Sequence, residues 1–355
     1  MRTTQKTQQK HKLSHTIKKV SKLQVKQPLH KQPLHVITVV FTPLGVSNSQ
    51  NGSYSRRYKL TKEFIKRMET QEKEQKDILF YLVEMVYGDQ PFSMTDSKNP
   101  KHLQLRTEHP LWHQENMINI GIKKLLPANW KTVAWVDADM EFENKNWAKE
   151  TLTQLNTSKD IVQLFDKVSY LDKHNREMDS KFSFGYRYVN GYNYKSIKKS
   201  MEALVNGTKG GTVGGGAWAC TRYAYNKMKK IYDLAALGGN DKILAFSIIG
   251  KVQDIYILDP NSKYTNGYKQ SILEYQDNLK NLRLGYIPGT IKSFYHGKLK
   301  NRKYGSRHEI LIRNHYDPTK HMTYDANGLL IPTSKCPHQL LSEIQEYFRQ
   351  RKEDD

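Results

Sequence analysis

The sequence predicts an α/β protein built on a doubly wound, mostly parallel central sheet flanked by helices, behind a basic low-complexity tail. Three observations carry this. Apolar, β-branched runs without a helical period recur at residues 35–43, 78–86 and 132–136, the pattern of strands buried on both faces. Segments of helical spacing separate them, and strand, helix, strand, helix, strand is the order of crossovers on a parallel sheet. The third run ends in Asp137-Ala138-Asp139, and ligands of open α/β sheets sit beyond the carboxyl ends of the strands.

The chain begins with a tail, residues 1–34, holding eight Lys, one Arg and no acid. It repeats Lys-Gln-Pro-Leu-His at 26–30 and 31–35 and has no apolar period with which to build a core. Of the net charge of +22, nine units sit here and +13 remains on the body. Such a field favours anionic partners: nucleotide-sugar phosphates, nucleic acid or anionic surfaces that the tail would touch.

His35 to Pro43 is the first strand, stopped by proline. Arg56 to Gln75 places Tyr58, Leu60, Phe64, Ile65 and Met68 at helical spacing. Ile78 to Val86 is a second core strand with one acid inside it, Glu84, expected to contact a base or ribose, or to face solvent or an arginine. Leu103-Gln104-Leu105 reads as a short strand and Leu111 to Leu126 as a helix leading into the central strand. Downstream, Trp147 to Leu155 is a helix and Asp160 to Phe165 a strand, while 166–206 gives no clear pattern. Residues 209–216 form a glycine loop without the Gly-Lys-Ser/Thr ending of a phosphate loop. A helix is expected over 223–232 and another from Asp241, a favoured N-cap, to Ile249. Ile291 to Lys298 reads as an edge strand running into a basic loop, and 337–352 as an amphipathic helix.

Composition excludes several classes. No window nears the roughly 18 consecutive apolar residues of a membrane span, and the N-terminus lacks a signal-peptide core, so a cytoplasmic location is expected. Cys220 and Cys336 form neither a disulfide framework nor a paired metal motif, which suits a reducing compartment. The sequons at Asn51, Asn156 and Asn206 are then unused. Alternate residues of an extended chain face the same way, so Asp137 and Asp139 can converge on one hard cation, Mg²⁺ or Mn²⁺, together with substrate phosphates. An acidic turn closing a strand is the competing account of that pair.

Four stretches in order resemble a GT-A (Rossmann-like) glycosyltransferase, of the kind found as glycosyltransferase-like proteins in large DNA viruses, phages and bacteria. They are Trp135 to Phe142, Gly215-Gly216-Ala217-Trp218-Ala219, Tyr232 to Asp241, and Tyr295-His296-Gly297 followed by Arg302-Lys303-Tyr304 and Arg307. A vocabulary heavy in Lys, Asn and Tyr is likewise typical of giant-virus genomes, for which the location would be the host cytoplasm. The resemblance covers about 35–320, with 35–142 as nucleotide-binding half, 143–320 as acceptor and metal half, and 321–355 as a C-terminal extension.

The resemblance implies a metal site of Asp137, Asp139 and His296 loaded with Mn²⁺ (or Mg²⁺), and a nucleotide-diphospho-sugar donor. Lys298, Arg302 and Arg307 would face the donor phosphates, with Asn116, Asn119, Glu84 and Asp137 also near the nucleotide. Asp241 would be the general base of an inverting transfer, although Asn240 and Lys242 replace the consecutive acids of relatives. Trp218, Gly215 and Gly216 would meet the glycan or protein acceptor, Trp218 being equally readable as core. A nucleotidyltransferase of related fold is the nearest alternative, opposed by Thr42-Pro43-Leu44-Gly45, where a basic glycine-rich signature would stand. A nucleic-acid-binding protein fits the charge, but no recognised nucleic-acid motif is present.

Overall fold

The computed structural model describes residues 32–41, 56–205 and 211–352. The tail through residue 31, Thr42 to Gly45 and the sequons at Asn51 and Asn206 lie outside them. From the first strand the chain runs β1 (Leu34–Phe41), α1 (Arg56–Gln75), β2 (Ile78–Tyr87), β3 (His102–Thr107), α2 (Gln114–Leu125), β4 (Thr132–Val136) and β5 (Met140–Phe142). Then follow α3 (Trp147–Thr157), β6 (Ile161–Gln163), β7 (Lys167–Leu171), β8 (Glu177–Ser183), α4 (Phe184–Val189), α5 (Tyr194–Val205), β9 (Thr212–Val213) and β10 (Ala217–Thr221). Last come α6 (Arg222–Met228), α7 (Asn240–Ile248), α8 (Asn266–Asn278), β11 (Leu284–Tyr286), β12 (Thr290–Ser293), α9 (Glu309–Arg313), α10 (Pro318–His321), β13 (Met322–Tyr324), β14 (Leu330–Pro332) and α11 (His338–Gln350).

Seven strands form the main sheet in the order β11-β6-β10-β4-β1-β2-β3. All are parallel except β10, which is antiparallel to both β4 and β6. Pleating sends alternate side chains to opposite faces, and the strands are apolar both ways. Ile37, Val133 and Trp135 enter one core with Met117, Ile118 and Ile120 of α2. Val36, Ala134 and Val136 enter the other with Phe64 and Met68 of α1 and Trp147 of α3. Helices therefore cover both faces, as the sequence pattern requires.

A second sheet, β5-β12-β7-β8-β9, takes β7 and β8 from the region that gave no clear pattern, which also holds α4 and α5. This sheet is a continuation of the first. Four strand pairs, β4 with β5, β6 with β7, β9 with β10 and β11 with β12, are consecutive in the chain and separated by three residues each. The joints are Asp137 to Asp139, Leu164 to Asp166, Gly214 to Gly216, and Ile287 to Gly289. They lie along one crease between the sheets. β12 sits between β5 and β7 rather than at an edge, a correction to the expected edge strand: Ser293 reaches Asp139 only from that interior position.

The described residues from Pro33 onward form one compact unit, and the main sheet draws strands from both expected halves. The apolar side of α11, Leu340, Ile344, Tyr347 and Phe348, belongs to the larger core. Cys220 and Cys336 are buried free thiols. Among the described residues no helix is long and apolar enough to cross a membrane.

Candidate functional site

The crease opens into a cavity lined by Asp137, Asp139, Gly215 and Gly216 from the joints, by Gln114 and Glu115 from α2, and by Gly239 to Asp241 at the start of α7. His296, Arg302, Tyr304, Arg307 and Arg351 close it from the C-terminal side, and Phe41 and Arg57 from the β1 end. The Arg57 guanidinium donates to the Phe41 carbonyl at 3.0 Å.

Each carboxylate is positioned by its neighbours. Asp137 accepts from Gln114 Nε2 at 2.5 Å, and its backbone N–H donates to the Gly216 carbonyl at 2.9 Å. Burial, with the Asp139 and Asp241 charges beside it, holds its carboxyl well above the usual carboxylate range. Asp139 Oδ2 accepts from the Ser293 hydroxyl at 3.0 Å, and the Asp139 carbonyl takes the Phe294 N–H at 2.9 Å. Glu115, which the sequence reading did not single out, is pushed up to about 8 by burial and by the Asp241 and Asp137 charges.

His296 stands 3.3 Å from Asp139, Nδ1 to Oδ2. Nδ1 also lies 2.9 Å from the Phe294 carbonyl oxygen, and Nε2 lies 2.6 Å from the Arg302 guanidinium. An acceptor on one side and a donor on the other place the ring hydrogen on Nδ1 and the lone pair on Nε2. Among the described residues no group of three His, Cys, Asp or Glu side chains is arranged to hold a metal ion. As arranged, Nδ1–H faces Asp139 and the Nε2 lone pair faces Arg302, so for these two side chains to hold one divalent cation the imidazole would have to turn and Arg302 give way.

Asp241 is not the N-cap. That place belongs to Gly239, at φ +97°, with no side-chain cap. Asp241 instead lies in the first turn of α7, its carboxylate packed over Gly215, where a Cβ would meet Oδ2 at 2.9 Å. The missing second acid also has a structural account. Asn240 is buried, donates to Glu115 at 2.7 Å and accepts from the Ala235 N–H at 3.3 Å, so it ties the loop before α7 to α2.

Other expected site residues lie elsewhere. Glu84 is fully buried and lies outside the cavity lining: it accepts from the backbone N–H groups of Ser93, Met94 and Thr95 and fixes the β2–β3 loop. Asn116 bridges Asp233, Gly328 and Leu330, and Asn119 pairs with both the N–H and the carbonyl of Ile231. Those amides are spent on the fold beside the cavity. Trp218 lines it but is buried, its indole N–H donating to the Gly214 carbonyl at 2.7 Å, which anchors the glycine joint. Lys298 is exposed and outside the lining. Sequence reasoning assigned Tyr304 no role beyond its place in the fourth stretch and did not point to Arg57, Gln114, Glu115 or Arg351; Gln114 and Glu115 precede Asn116 on α2, so helical phase was the available signal.

The fold and site together define an α/β protein with carboxylates, a histidine and arginines gathered where the strands of a mostly parallel sheet end. No family model matches the chain, and no curated protein matches it. Among solved structures it is similar to the catalytic domain of Drosophila β1,4-galactosyltransferase 7 in complex with xylobiose, at 12% identity and TM-score 0.33, covering 63% of this chain and 66% of that one. A mutant of that enzyme was solved with manganese, UDP-Gal and xylobiose. The chain is also similar to the inositol-1-phosphate CTP transferase of T. maritima, at 9% identity and TM-score 0.32 over 88% of this chain and 97% of that one. TarS of S. aureus, residues 1–349, matches at 11% identity and TM-score 0.26 over 70% and 71%.

Proposed function

We propose that the chain is a metal-dependent GT-A glycosyltransferase that moves a sugar from a nucleotide-diphospho-sugar, UDP-linked, to a hydroxyl acceptor with inversion. The observation that carries this reading is the gathering of Asp137, Asp139, His296, Arg302 and Asp241 around one cavity at the sheet crease. Asp139 and His296 would hold Mn²⁺ or Mg²⁺, which when bound supplies Lewis-acid neutralisation of the leaving diphosphate. Arg302, beside His296, adds a guanidinium for phosphate oxygens.

Asp241 lines the same cavity, over Gly215. In an inverting transfer its carboxylate takes the proton of the acceptor hydroxyl as that oxygen bonds to the anomeric carbon. The bond from the anomeric carbon to the diphosphate breaks, and its electron pair leaves with the nucleoside diphosphate. Gln114 keeps Asp137 oriented at the strand end.

The test is release of nucleoside diphosphate from a panel of UDP- and GDP-sugars, with Mn²⁺ or with chelator. We expect one donor to be hydrolysed only with metal, and D139A to lower the rate by at least about 10²-fold, the scale of a lost charge-stabilising group. Release of pyrophosphate from CTP or UTP would redirect the reading to nucleotidyl transfer. Absence of both, with salt-sensitive retention on nucleic acid, would leave a binding protein.

A further inference from the structure

Two arginines of the cavity are not explained by the proposed chemistry. Arg307 and Arg351 are 6% and 5% exposed, on different segments of the chain. One hydroxyl pins both: Tyr347 accepts from Arg307 Nη1 and from Arg351 Nη1, each at 3.1 Å, and donates to the Arg302 carbonyl at 3.1 Å. Arg351 lies over the Trp112 ring and Arg307 over the Tyr304 ring, each 5.1 Å from the centroid.

Burying a guanidinium costs free energy unless an anion or a full set of acceptors compensates it. Among the described residues Arg307 forms no ion pair with a carboxylate, and its buried Nε has no hydrogen-bond partner. Tyr304 registers the local field: burial raises its phenol, yet the charge and hydrogen bond of Arg302, followed by the charges of Arg307 and Arg351, outweigh burial and leave it below its ordinary value.

The sequence pattern sets Arg307 on the donor phosphates. Those would lie at Asp139 and His296, where Arg302 already stands. Arg307 instead reaches the glycine turn before α7, with Nη2 3.5 Å from where a Cβ at Gly238 would lie and 3.9 Å from that at Gly239. Asp241 follows two residues after Gly239. Two forks converging from different directions suit the tetrahedral oxygens of a phosphate better than one planar carboxylate.

We infer that Arg307 and Arg351, set by Tyr347, form a second anion subsite on the acceptor side of the cavity, which receives a phosphate group carried by the acceptor. The assignment to the acceptor rests on the glycosyltransferase reading; the subsite itself does not. It makes Arg351, at the C-cap of α11, a wall of the site and the acceptor a phosphate-bearing hydroxyl compound.

The probe is inorganic phosphate, titrated by calorimetry and ³¹P NMR into the full chain, alone and with saturating UDP and Mn²⁺. Phosphate is expected to bind the UDP-loaded protein, about 10-fold more weakly in R351Q and R307Q, with part of the loss restored in R351K. R351Q should weaken phosphate binding more than it weakens UDP binding. Phosphate binding unchanged in R351Q whose thermal melt matches wild type would overturn the subsite, and displacement of phosphate by UDP would overturn its place on the acceptor side. Arginine-dependent phosphate binding by a chain that neither binds UDP nor cleaves any nucleotide sugar would support the subsite while the transferase reading falls.

Discussion

Burial and the neighbouring charges of Asp241 and Asp137 push the Glu115 carboxyl up to about 8, so at neutral pH it keeps its proton while accepting from Asn240. A folded-state value above the unfolded one means that the native state binds the extra proton between them. Its contribution to stability is complete below the unfolded value and is lost as pH rises through about 8. E115Q cannot ionise and keeps an acceptor for Asn240. Its melting temperature, followed by circular dichroism across the pH range, should equal that of wild type below about pH 4.5. It should rise above wild type as pH increases, the gap levelling off above about pH 8. A gap that does not depend on pH would mean that Glu115 ionises normally. Glu84 is the contrasting residue: it too is a buried acid, but three backbone donors surround it, and that environment belongs to a loop and not to a ligand site.

At the scale of elements, the three-residue joints decide what the cavity can hold. Gly214 to Gly216 lets the chain pass between β9 and β10 close against α7, and Gly216 turns at φ +103° while its carbonyl accepts from Asp137. G215A places a methyl group 2.9 Å from Asp241 Oδ2 and 3.5 Å from its Cβ. The carboxylate must shift, whereas the Gly215 backbone tolerates a side chain. Donor hydrolysis or transfer by G215A should fall on the order of 10–100-fold, the scale of a misplaced catalytic group, with a nearly unchanged melting temperature. Full activity in that variant would remove Asp241 from the chemistry. The loop before α7 is fixed separately, by Asn119 on Ile231 and by Asn116, Lys230 and Tyr324 on Asp233. From sequence Asn116 and Asn119 were expected near the donor nucleotide; the crossing of α2 with that loop makes them a brace.

For the whole molecule, α11 is the informative case. Leu340, Ile344, Tyr347 and Phe348 are buried in the larger core, and burying such side chains contributes about 1.5–3 kcal/mol each. Their sum is comparable with the roughly 5–15 kcal/mol that holds a typical protein folded. A chain ending before His338 should therefore lose its cooperative melt, monitored by circular dichroism and dye binding. Retention of the native melt would make α11 an appendage and would detach Tyr347 and Arg351 from the site.

The sequence by itself determined the alternation of strands and helices, because apolar period is a local property. It also determined the carboxylates at the end of β4, because a buried strand must end where its polar residues begin. Arg56–Gln75 was legible to the residue, and α3, α7 and α11 to within two residues at each end. Tertiary structure decided the rest. Whether an acid is a ligand, a brace or a protonated neighbour depends on which segments, distant in sequence, come to lie against it. Glu84 meets a loop nine to eleven residues away, Asn240 meets Glu115 across 125 residues, and Arg351 meets Trp112 only because α11 folds back across the cavity. Charge and hydrogen bonding act through space, and no sequence spacing encodes that proximity.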